Sequence, residues 1–142
     1  VTDRLSSDHP SVETVRATLA RRGRTRSRLT LPADDRFPLT TVRLVVDSNI
    51  SHARIESGEE GVEINGAYGN ARLARERAGE DRLEAWRAES KIDYGRSVLV
   101  DVVESGFLYG VREAGERVVY DAVESPDEGL ASIARDLEAD ER

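Results

Sequence analysis

The chain has 142 residues, with 28 acidic against 21 basic side chains, a net charge of −7 and no cysteine. Those values exclude a disulfide framework and a thiolate metal centre, and with His9 and His52 the only histidines a zinc site would have to rest on carboxylates. No apolar run approaches the roughly 18 residues of a membrane span and no signal-peptide pattern opens the chain, which predicts a soluble, cytoplasmic protein without a membrane partner.

The length predicts one domain with one core. Residues 1–9 read as a flexible polar tail, and 10–138 as a single barrel domain with flanking helices. Pro10 suits a first helical turn, Val12, Val15 and Leu19 fall at i, i+3 and i+7, and Gly23 is a stop signal. The spacing therefore predicts a helix from Pro10 to Arg22. Thr25 to Leu31 reads as a strand ended by Pro32, and Ala33 to Pro38 as a loop anchored by Phe37. Thr41 to Val46 alternates as a strand, with Asp47, Ser48 and Asn49 as turn formers. Ser51 to Glu56 follows, with Ala53 and Ile55 inward and His52, Arg54 and Glu56 outward. His52 on that polar face reads as an ordinary exposed histidine. Ser57 to Gly61 turns, and Val62 to Ile64 is a short strand.

Asn65 to Asn70 is a glycine- and asparagine-rich bend. Only a short helix can follow it, because Leu73 is the one large apolar residue there. Glu80 to Glu89 reads as a helix whose Leu83 and Trp86 cap the core. Ser97 to Glu104 is the strongest strand, and Phe107 to Arg112 and Arg117 to Val123 complete a three-strand meander. Pro126 opens a terminal helix with Leu130, Ile133 and Leu137 on one face. Leu44, Val46, Ile55, Val98, Val100 and Val102 should be buried together. The fold class expected is α+β, mostly β: an open barrel of about seven strands with N-terminal, mid-chain and C-terminal helices.

Charge is unevenly distributed. Thr14 to Ala33 holds six arginines and no acid, leaving −13 for the rest of the chain. In an extended strand, residues two apart share a face, so Arg22, Arg24, Arg26 and Arg28 would form one row. Such a row suits phosphates or base edges, or else serves as a charged edge that blocks strand pairing. Lys91 is the one lysine beside twenty arginines. Abundant acids, scarce lysine and few large hydrophobes resemble the proteins of extreme halophiles, in which acidity maintains solubility. An acidic background then leaves a nucleic-acid partner open.

Leu31-Pro32, Phe37-Pro38 and the strands ending at Asp47 and Ile55 make one half of a longer pattern. Leu83 and Trp86, then Ile92-Asp93-Tyr94-Gly95 and the valine-rich strand make the other. This order, over about Arg24 to Val123, resembles the DNA-binding pseudobarrel fold of plant transcription-factor domains and of restriction-endonuclease recognition domains. Arg96 departs from it, since the plant domains usually carry aspartate after the glycine. Taken whole, the chain also resembles a haloarchaeal protein family with no assigned activity. The pseudobarrel resemblance implies two arms in the major groove. By position, Arg22, Arg24, Arg26 and Arg28 would form one, and Asn65, Tyr68, Asn70 and Arg72 the other. Asparagine suits adenine and arginine suits guanine.

No nucleophile elbow, phosphate loop or dinucleotide fingerprint is present. Glu89-Ser90-Lys91 is a trace of the Glu-x-Lys of metal-dependent nucleases, for which Asp34, Asp35 or Asp47 would share magnesium. It follows a helix instead of lying on a strand. Asp101 and Glu104 fall on opposite strand faces. The expectation is a non-enzymatic protein binding double-stranded DNA, or RNA, without metal or cofactor. A protein-interaction or small-ligand barrel, as a homo-oligomer or with an acidic protein partner, is the alternative.

Overall fold

The computed structural model describes residues 4–23, 26–59 and 61–121, with the backbone alone at positions 4, 5, 22 and 121. The expected helix from Pro126 lies outside the described residues, as do Arg24 and Thr25. In chain order the elements are β1 (Arg4–Ser6), β2 (Glu13–Arg22), β3 (Arg26–Leu31), β4 (Thr41–Val46), β5 (Asn49–Ser57), β6 (Val62–Ile64), α1 (Ala71–Glu76), α2 (Arg82–Ser90), β7 (Ser97–Glu104), β8 (Leu108–Arg112) and β9 (Val119–Asp121).

Seven of these strands close a barrel in the order β2-β3-β6-β5-β4-β8-β7. The barrel is closed, not open as expected. The seam is a parallel pairing of β4 with β8, registered Leu44 to Tyr109, and the ring shuts where β2 meets β7. Closure removes the sheet edges that would otherwise invite pairing.

The largest correction concerns the helix expected from Pro10 to Arg22: its Glu13–Arg22 part is the ten-residue strand β2. Val15, Ala17 and Leu19 are buried while Thr14, Arg16 and Thr18 are exposed, a period of two. Val12, Val15 and Leu19 also satisfy i, i+3 and i+7, so spacing alone could not decide. Pairing decided: β2 bonds to β3 on one side and to β7 on the other, with Leu19 opposite Leu29 and Val15 opposite Val100. A helix there would leave one edge of each neighbour unpaired.

The core fills the barrel. Leu44, Val46, Ile55, Val98, Val100 and Val102 share one buried cluster with Leu19, Leu29, Ile64 and Phe37, and Leu83 and Trp86 of α2 cap it. Burial of each such side chain contributes about 1.5–3 kcal/mol. The interior is thus occupied by the chain's own side chains.

The expected three-strand meander is also corrected. β9 leaves the barrel and pairs antiparallel with β1, Leu5 opposite Tyr120. Part of the expected flexible tail is therefore a strand. Tyr120 lies against β8, where a Cβ on Gly110 would sit 2.3 Å from its ring. Only glycine admits that approach. Tyr120, Val45 and Leu108, backed by Val103, Phe107 and Val118, form a second apolar cluster outside the barrel. Beside it Asp101, fully buried, accepts from Arg112 Nε at 2.8 Å, Thr14 Oγ1 at 2.7 Å and the Tyr120 hydroxyl at 2.5 Å. Burial, followed by the hydrogen bond to Asp101, pushes the Tyr120 hydroxyl pKa far upward.

Candidate nucleic-acid interface

The arginine-rich stretch is a hairpin. β2 and β3 run antiparallel to the pair Arg22 opposite Arg26, and Gly23 takes a φ of 69° just beyond β2. The expected single row of four is therefore divided, with Arg22 ending β2, Arg26 and Arg28 on β3, and Arg24 outside the described residues. Alternation on β3 is as expected: Ser27, Leu29 and Leu31 are buried, and Arg26 and Arg28 are half-buried. Both outward arginines are engaged. Arg28 pairs with Glu63 at 3.3 Å. Arg26 donates to the Arg77 carbonyl at 2.9 Å and to the Tyr68 hydroxyl at 3.4 Å.

The connection from α2 to β7 lies beside this hairpin. Leu19 N donates to the Arg96 carbonyl at 2.9 Å, and Gly95 N donates to the Leu19 carbonyl at 2.6 Å. Tyr94 there contacts two guanidinium groups, Arg21 at 5.1 Å and Arg87 at 4.3 Å from its ring centre. Glu84 ties the base of this arrangement, accepting from Arg87, Ser27 and the Tyr94 hydroxyl. The hydrogen bond from Arg87, helped by those from Ser27 and Tyr94, holds the Glu84 carboxyl at about 2. Asp81 caps the start of α2 through the amides of Leu83 and Glu84.

Above that base the cations are exposed. Arg16, Arg21, Lys91 and Arg96 all face solvent. Among the described residues none of the four forms an ion pair with a carboxylate. Lys91, Arg96 and Ser97 line a cleft of about 270 Å³, with Ile92 and Val98 on its apolar side and Glu113 on its rim.

The other predicted arm is differently disposed. Asn65 is 9% exposed and donates to Glu56 at 2.9 Å. Tyr68 is 1% exposed and bridges to β5 through its backbone, donating to and accepting from His52 at 2.8 and 2.7 Å. Its ring is thus unavailable for stacking in this conformation. Asn70 is the N-cap of α1 and accepts from Leu73 N at 2.8 Å. Arg72 is exposed and pairs with Glu76 one turn on, at 3.3 Å. The bend from Asn65 to Arg72 launches α1 and seats it on β5; it does not project as an arm.

His52 is half-buried, not exposed, with its Nε2 3.0 Å from Arg43 Nη1. Burial first, then the positive charges of Arg43 and Arg82, lower its pKa. Glu89 lies exposed in the last turn of α2, and Lys91 is that helix's C-cap in the left-handed region at a φ of 58°. Asp34 is bonded to Arg36, and Asp47 sits exposed in a turn. Among the described residues no three or more histidines or acids are grouped to hold a metal ion. No described helix is long and apolar enough to cross a membrane.

Two functional candidates, Arg21 and Arg96, are absent from the predicted set. Arg21 was masked by the helix reading of β2. Arg96 carried a signal in the sequence, as the basic departure from an aspartate position.

The model of DUF7112, a family of unknown function, matches residues 1–137, so the chain belongs to that family. No curated protein and no solved structure is measurably similar to the chain.

Proposed function

We propose that this DUF7112 protein is a non-enzymatic DNA-binding protein that holds double-stranded DNA with the tip of the β2–β3 hairpin and the adjoining turn at Tyr94–Arg96. One observation carries the reading. Arg21 and Arg96 are exposed on two segments joined by backbone hydrogen bonds, and neither is in an ion pair among the described residues. Arg22 and Arg24 add two more guanidinium groups to the same tip in sequence. A two-stranded ribbon fits the major groove, and arginine matches both phosphate oxygens and the guanine edge. Arg26 and Arg28 become supports for the hairpin, fixed to Arg77 and Glu63.

The mostly-β barrel supports the pseudobarrel resemblance at the level of architecture, in closed form. The acidic, lysine-poor composition supports a cytoplasmic protein of a halophilic archaeon. In molar salt the Debye length is about 3 Å, so long-range attraction is screened and direct contacts must carry binding.

The test is fluorescence anisotropy with duplex DNA for the wild type and for Arg21→Ala/Arg22→Ala/Arg24→Ala. Binding by the wild type at ~50 mM KCl, weakened for all sequences alike in the variant, is expected if the contacts are phosphates; each lost contact lowers the salt slope by about one. Discrimination of ~1–3 kcal/mol lost at one base pair would mark a guanine contact instead. Equal affinity of the two proteins, or no wild-type binding at ~50 mM, overturns the reading and leaves an acidic protein partner ahead. Preference for duplex RNA would change the ligand and keep the surface.

A further inference from the structure

We infer that the cleft lined by Lys91, Arg96 and Ser97 is a phosphate subsite that extends the hairpin surface beyond Arg96 to Lys91. The inference rests on the nucleic-acid reading above in making that phosphate part of a polynucleotide backbone. Three donors of different kinds meet there: an ammonium, a guanidinium and the outward hydroxyl of the first residue of β7. Lys91 and Arg96 are exposed and form no ion pair among the described residues, so both charges are available to a ligand. Ile92 and Val98, 6% and 1% exposed, give the cleft a fixed apolar side. The volume of about 270 Å³ admits one phosphate and its flanking sugars, and not a helix or a strand.

The placement of Lys91 supports this assignment. It occupies a left-handed C-cap at a φ of 58°, a position at which glycine or asparagine is the common choice. A lysine there carries the cost of a positive φ that glycine avoids, and gives the end of α2 only the modest stabilisation of a cation near the helix C-terminus. Its ammonium is the one point charge among twenty arginines, and a lysine binds phosphate as a point charge where arginine binds as a fork. Glu113 on the rim leaves the cleft with a net charge of one positive unit, enough to prefer an anion and too little to hold one tightly alone. The subsite therefore serves as a second contact for a ligand already held at the hairpin, where tethering raises its effective concentration.

Lys91→Gly removes the ammonium while relieving the positive φ, and Arg96→Ala removes an exposed side chain, so both variants should fold. The experiment is a KCl series of duplex DNA binding for the wild type, Lys91→Gly and Lys91→Gly/Arg96→Ala. The slope of log affinity against log salt should flatten by about one in the single and about two in the double variant. The single variant keeps the measurement open if the double no longer binds. An unchanged slope in Lys91→Gly overturns the subsite and leaves the hairpin reading standing, and an unchanged slope in the double variant also removes Arg96 from that reading, which then rests on Arg21, Arg22 and Arg24. If the wild type binds no duplex, that reading falls, and a titration of the wild type with inorganic phosphate decides for the cleft. Saturating amide shifts at Arg96 and Ser97, absent from the double variant, sustain it; no shift overturns it.

Discussion

Arg112 and Arg21 belong to the same sheet and show what the fold does with an arginine when it is buried and when it is not. Arg112 is 8% exposed and grips Asp101 with two nitrogens, at 2.8 and 3.2 Å, while a third donates to the Glu116 carbonyl. Every charge there is matched, as burial requires, because removing a carboxylate or a guanidinium from water costs several kcal/mol. Arg21 stands exposed at the far end of β2, against one face of Tyr94 and clear of any described carboxylate. The Asp101 cluster fastens β9 to the barrel and serves architecture. Arg21 holds no carboxylate among the described residues; its contact is the ring of Tyr94. A surface charge without an architectural task is the better candidate for a ligand.

This contrast can be broken most forcefully at Asp101. Arg112→Met leaves a buried carboxylate without its cation and should cost about 3–5 kcal/mol in urea unfolding. Replacing Asp101 by Leu as well should recover a large part of that loss, although the Thr14 and Tyr120 hydroxyls lose an acceptor. Next comes the core: Leu44→Ala, within the fully packed barrel, should cost about 2–5 kcal/mol. The Arg21→Ala/Arg22→Ala/Arg24→Ala variant should stay within about 0.5 kcal/mol of the wild type. A loss as large as that of Arg112→Met would assign the hairpin arginines to the fold and remove the contrast.

Two smaller effects depend on pH. Glu84 has its folded pKa lowered to about 2 from 4.5, so its stabilisation is complete above about 4.5 and is lost as pH falls toward 2. Thermal melts should show Glu84→Gln less stable than the wild type at pH 7 and equal to it near pH 2. His52 also has its pKa lowered, which for a base means that the unfolded chain takes up the proton first. Stability should therefore fall as pH drops below 6.5, and His52→Gln should flatten that part of the profile.

How much the sequence disclosed depends on the kind of signal. β4, β6 and β7 could be bounded to the residue because valine and isoleucine alternate there without a competing period. β2 was hidden because Ala17 is small and Val12, Val15 and Leu19 also fit a helix. Its neighbours decided the matter: the pairing with β3 spans 4 to 12 positions of the chain and the pairing with β7 spans 79 to 89. The pairings of β1 with β9 and of β4 with β8 join distant segments, and no local pattern encodes them. At the surface, the charge asymmetry of Thr14 to Ala33 was legible, but its shape was not, because Gly23 reads equally as a helix stop and a hairpin turn. Asn65, Tyr68 and Asn70 looked like a binding loop since the residues that build a sharp bend and a helix cap are also those that read bases.

The most direct measurement is an amide chemical-shift map of the ¹⁵N-labelled chain with and without duplex DNA at low salt. The account predicts shifts concentrated at Arg21–Arg26 and at Tyr94–Ser97, with the Asn65–Arg72 bend and the β1–β9 pair unmoved. Shifts centred on Asn65–Arg72 with the hairpin unmoved, or none anywhere, would contradict it.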